Sequence, residues 1–218
     1  MNKKRGLELF LWILSVFFAS QIYSSINGPI KFNKVKNERY AIVINRLKDI
    51  RIAQIAHKDV KGYYANNFDD LVSFIDNGLF TLIEEKDSSY LAYDRIYRID
   101  MLREVRIVRE LGKVSVKDSL FKDNDSYKQM AFIPIKGKED EKFSISADII
   151  DKNGYEAHVF EVKVKKDVIL YDQNKDLLKQ ENKTISVDGV NGSEIVLGSM
   201  TQVSTSGNWP TIFDANKK

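Results

Sequence analysis

Residues 3–29 read KKRGLELFLWILSVFFASQIYSSINGP: a basic triplet, a greasy run and a Gly-Pro pair. How this stretch is read decides how the rest of the chain is read. From Leu9 to Phe18 only Ser15 is polar. Ala19, Ile22, Tyr23 and Ile26 extend the apolar character over residues 7–26, about the 20 residues a helix needs to cross a hydrocarbon core. Glu8 and Gln21 fall near the two ends of such a span. Lys3, Lys4 and Arg5 favour a cytoplasmic amino terminus, while Lys31, Lys34, Lys36 and Arg39 place comparable charge behind the span. A secretory signal shares the basic start and apolar core, but it wants small residues one and three positions before the cut. Phe18 before Ser20 and Tyr23 before Ser25 break that rule. The span is therefore read as a single-pass anchor in the inner membrane with a periplasmic C-terminal domain, and a secreted domain after cleavage is the alternative.

The 218 residues are 30% charged and 43% hydrophobic, with a net charge of +3. Mean hydropathy is -0.33 even with the greasy run included, which fits an otherwise soluble domain. So mild a charge gives no reason to expect nucleic acid. The absence of cysteine excludes disulfides, thiolate metal sites and thiol catalysis. The chain divides into a cytoplasmic terminus (1–6), an anchor (7–26), a linker (27–36), a helical region (37–80), a helical or mixed connector (81–113) and an antiparallel β-rich region (114–218). The last three form one exported domain.

Gly28-Pro29 is expected to interrupt the helix. Asn37 to Lys61 then reads as a long helix, with Tyr40, Val43, Ile44, Leu47 and Ile50 on one stripe. Ala53, Ala56 and Val60 fall on another side, so the helix either lies deep in its own domain or offers the second face to a partner. Gly62 is a plausible cap. Asn67, with Asp70 three residues on, opens a short helix burying Phe68, Leu71, Val72 and Ile75 and ending at Asn77-Gly78.

Thr81 to Leu111 admits two readings. Arg95, Arg98, Arg103, Arg106 and Arg109 share a face if it is helical, whereas Val105, Ile107, Val108 and Leu111 suit a strand. Phe143, Ile145, Ala147 and Ile149 alternate with polar residues, and an Asn153-Gly154 turn leads to Tyr155, Ala157 and Val159, then Phe160, Val162 and Val164. This is a hairpin signature, with a change of phase that suggests a bulge or twist. Strands at Val114–Leu120, Met130–Ile135, Thr184–Val187 and Glu194–Met200, with a helix near Asn174–Gln180, complete the expectation. The fold class is α+β: an N-terminal transmembrane helix, then a long amphipathic helix packed on a small antiparallel β-sheet.

Arg46 to Gln54, Gly62-Tyr63-Tyr64, Phe68-Asp69-Asp70-Leu71, Val114 to Phe121, Phe132-Ile133-Pro134 and Gly207-Asn208-Trp209 resemble an uncharacterised family of single-pass membrane proteins in Bacteroidota. The resemblance implies an envelope location and an exported α+β domain, and it carries no activity. The order of anchor, amphipathic helix, Gly-Tyr turn and short helix is more distantly similar to type IV pilins and pseudopilins. Their processing site has Gly, an aromatic residue and Glu five positions later. Here Leu7 follows Gly6, and Glu8 stands two positions on.

No catalytic constellation is legible. His57 and His158 have no His-Glu-x-x-His spacing, and His158 is expected to face solvent from a half-buried strand. Asp172, Asn174 and Asp176 echo half a calcium loop, but Leu177 and Lys183 stand where Gly and Glu belong. No cofactor, metal, small-molecule or nucleic-acid site is expected. The expected partners are membrane lipid along residues 7–26 and a protein or further copies of the chain through Ala53, Ala56 and Val60. An alternative is a surface glycan or lipid held by Arg95, Arg98, Arg103 and Trp209.

Overall fold

A computed structural model describes residues 3–122, 124–152 and 154–214. Helix α1 runs from Lys3 to Lys61, 59 residues without a break and about 90 Å long at 1.5 Å per residue. The linker expected at 27–36 is therefore helix. Pro29 lacks one backbone donor, at a cost of about 3 kcal/mol in a helix interior. That cost is local, and the next turn is already held by burial of Phe32. The first part of α1 is long and apolar enough to cross a membrane. Its most apolar 18-residue window has a mean hydropathy of 1.7, and none of it is buried by the rest of the chain.

The second part of α1 is the axis of the core. Tyr40, Val43, Ile44, Leu47 and Ile50 are buried, as the stripe predicted. Gly62 ends the helix at φ +87°, its N–H donating to the Lys58 carbonyl. Helix α2 (Phe68–Asn77) begins as expected, with the Asn67 side chain accepting from the Asp70 N–H at 2.7 Å. It buries Phe68, Leu71, Phe74 and Ile75, with Phe74 in the place expected for Val72.

The connector is neither helical nor mixed. Strands β1 (Leu79–Asp94) and β2 (Ile99–Ser115) form one long antiparallel hairpin. β-branched and aromatic residues outweigh the helical arginine spacing here, and the inward-facing backbone groups of the two strands pair across the ribbon. The register slips once, at Leu82/Ile83. The expected strand at 114–120 yields after Ser115 to helix α3 (Val116–Leu120), opened by the Ser115 side chain accepting from the Asp118 N–H. Residues 130–135 are loop, tied by one bridge between Phe132 and Lys142.

The predicted hairpin is present as β3 (Ser144–Lys152) and β4 (Tyr155–Lys165). Asn153 lies outside the described residues; Gly154 stands at φ +83° and its N–H donates to Asp151 Oδ1 at 2.8 Å. The register of β3 on β4 is unbroken, so there is no bulge at Val159/Phe160. Both side chains are buried instead. Short helices α4 (Lys166–Ile169) and α5 (Lys175–Asn182) lead to β5 (Glu194–Gly198), which pairs with β4 to give the sheet order β3-β4-β5. Residues 184–187 form no strand.

Candidate functional site

The helix face proposed for a partner is not open. Ala53 and Ala56 are 0% and 4% exposed and belong to the chain's own core, and Val60 alone of the three reaches solvent. Small side chains there let neighbouring elements approach α1 closely. The polar residues between them grip the same elements. Gln54 is fully buried and pairs both ends of its amide with Ala65, at 2.8 and 2.9 Å. Lys48 donates to the Phe213 carbonyl and pairs with Asp214 at 3.3 Å.

Trp209 is likewise no exposed docking residue, being 7% exposed. Its ring lies under the Arg51 guanidinium at 5.3 Å, and Nε1 donates to Asp214 at 3.3 Å. A side chain at Gly207 would run into that ring, which is why glycine stands there. The arginines do not form one face. Arg95 and Arg98 sit in the exposed turn joining β1 to β2. Asp94 organises that turn by accepting from the Ile96 and Tyr97 N–H groups. Arg103 lies on β2 and pairs with Asp94 at 3.6 Å. Successive strand residues face opposite ways, so Arg106 points away from Arg103 and Arg109.

The two histidines, unrelated in sequence, line one cleft of about 820 Å³ with Tyr63, Asp70, Ser73 and Asp148. His57 is buried edge-on against the Tyr63 and Phe74 rings, with Nδ1 placed to donate to the Tyr63 carbonyl at 2.7 Å. His158 is half-buried on β4 rather than turned to water. The cleft's acids serve the fold: Asp70 accepts from the Asn67 amide and Asp148 from the Ile149 N–H. Among the described residues neither histidine hydrogen-bonds a carboxylate; His57 bonds a backbone carbonyl. Among the described residues no three of His, Asp or Glu converge as metal ligands.

A second polar cluster ties α1 to the far end of the chain. Lys166 is fully buried, and its ammonium donates to Glu181 Oε1 (3.1 Å) and to the carbonyls of Glu181 (3.0 Å) and Val190 (2.8 Å). Burial pulls its pKa down, with Glu181 opposing. Glu181 also accepts from Lys36 (2.9 Å) and Tyr40 (3.3 Å). Burial beside that carboxylate pushes the Tyr40 hydroxyl well up. Nearby, Arg39 grips Asp172 with both Nη atoms, at 2.6 and 2.8 Å, and holds its carboxyl down at about 2. Asp172, Asn174 and Asp176 are thus an ion-pair partner, the α5 cap and a first-turn acid, not a calcium half-loop.

What remains uncommitted is the β1–β2 ribbon. From Thr81 to Lys113 both faces are exposed, apart from half-buried Ala92 and Asp94. Its strands of 16 and 17 residues reach about 50 Å at 3.3 Å per residue. A lone two-stranded hairpin is at best marginally stable in water, and this one leaves almost all of its side chains exposed. No family model, curated protein or solved structure matches the chain.

Proposed function

We propose that this is a single-pass envelope protein, anchored in the inner membrane by residues 7–26 with its amino terminus cytoplasmic, whose exported domain serves protein–protein assembly. One observation carries the reading. A single helix is bare and apolar over its first part and is the core of a folded domain over the rest. Bare apolar turns continuous with a packed core are costly in water and stable in lipid. The basic residues ahead of the span support the orientation, and the resemblance to single-pass proteins of Bacteroidota supports the compartment. The open ribbon supports assembly as the role of the exported domain.

The full-length protein in its native envelope should stay in the membrane fraction through a carbonate wash, at full-length mass. A soluble product short by about 20 to 25 residues would instead identify a cleaved signal and a secreted domain. Burial of Trp209 and dispersal of the arginines remove the observations that favoured a glycan site.

A further inference from the structure

We infer that the β1–β2 ribbon is a self-association arm, in which β1 of one copy adds antiparallel to β2 of the next and repeats between chains the register seen within one. This deepens the assembly reading above and rests on it.

Area comes first. Every large apolar side chain between Leu82 and Leu111 is exposed, from Met101 at 40% to Ile96 at 85%. At roughly 200 Å² per large side chain they leave on the order of 1,000 Å² of apolar surface in water, more than the ~800 Å² each partner buries in a standard interface. These side chains lie on both faces among charged residues, so the area speaks for contact along the whole ribbon and not for one apolar patch. Both long edges also carry unpaired backbone donors and acceptors, the template for strand addition.

Charge then selects the occupant. Glu84, Glu85, Lys86, Asp87, Arg103, Glu104, Arg106, Arg109 and Glu110 are spread over both faces, which keeps the ribbon out of the hydrocarbon layer. β1 is acidic, with Glu84, Glu85, Asp87 and Asp94 against Lys86. β2 leans basic, with Arg103, Arg106, Arg109 and Lys113 against Asp100, Glu104 and Glu110. Within the chain this places Glu84 opposite Arg109 and Arg106 within 3.4 Å of Glu85 and 3.5 Å of Asp87. The outer edges of β1 and β2 bear the same complementary charges, so a second copy translated across the ribbon meets the same pairing.

Two-fold pairing does worse. A β2 edge against itself, centred on Arg106, sets Arg103 opposite Arg109; centred on Ile107, it sets Glu104 opposite Glu110. β1 against β1 brings two acidic strands together. Head-to-tail addition also keeps every anchor on the same side of the membrane, and it extends rather than closes.

The absence of native cysteine makes the register testable. Ser88 and Val105 are register partners. Full-length Ser88→Cys and Val105→Cys chains, differently tagged and mixed in detergent under mild oxidation, should give a disulfide-linked dimer confined to the mixture. Homodimers of either variant alone would overturn the head-to-tail arrangement, and no dimer in any sample would overturn self-association through the arm. On that cysteine pair, Glu85→Lys or Arg106→Glu should each cut the yield by about tenfold, and both together in each chain should restore it. Carbonate extraction of the same samples separates the two ideas. A carbonate-resistant protein that never crosslinks sinks the arm alone, and a soluble protein that crosslinks sinks the anchor alone.

Discussion

The residues that matter most to the fold are the polar ones buried against α1. Lys166 spends its ammonium protons on Glu181 and Val190, so removing it takes a donor from the Val190 carbonyl and from Glu181, whose carboxylate keeps Lys36 and Tyr40. Lys166→Ala should lower stability by about 1–3 kcal/mol, the cost of leaving buried acceptors short of a donor, read by urea unfolding of the full-length protein. A loss well under 1 kcal/mol would mean that Lys36 and Tyr40 alone satisfy Glu181. Asp172 gives a pH signature. Its carboxyl sits at about 2 when folded, below the ~3.9 of an unfolded aspartate. The Arg39 pairing therefore adds stability above about pH 4, and the contribution is lost as pH falls through about 2. Asp172→Asn should flatten the acid limb of the stability profile over that window and leave its slope near neutrality unchanged. Neither pair is legible in the sequence. Arg39 and Asp172 lie 133 residues apart, and side-chain type alone names no partner at that distance.

Elements were legible where local rules act alone. The Asn67 cap, Gly62, the β3–β4 turn and α5 all follow from capping and turn chemistry within a few residues. Where apolar residues fit two periods, the outcome was set elsewhere. The arginine spacing of 95–109 suits a helix, but the chain pairs as strands because β1 supplies a cross-strand neighbour for each residue of β2 up to the slip. The ribbon buries little against the core, so it should be separable from it. Excising residues 83–111 and joining Leu82 to Gly112 through an Asn-Gly turn should move the melting temperature of the remaining domain by less than about 4 °C, equivalent to under 1 kcal/mol. A larger fall would show that the arm holds the base formed by α2 and α3. Hydrogen exchange of the excised form should leave α1 protection intact.

At the scale of the whole molecule, one helix has two parts with different surroundings. Its first part is bare, and its second gathers α2, the β3–β4–β5 sheet and the C-terminal segment around it. By itself the sequence determined the apolar span, the following amphipathic stripe, the main hairpin and the α+β class, because each depends on hydrophobic periodicity and turn residues close together in the chain. Only the tertiary structure decided that Pro29 does not break α1, that Ala53, Ala56 and Trp209 are core, that the two histidines share a cleft, and that 81–113 stands free as a ribbon. Each of those outcomes depends on which distant surface covers a residue. The covering residues are distant in sequence, so the local pattern around each of these positions does not name them.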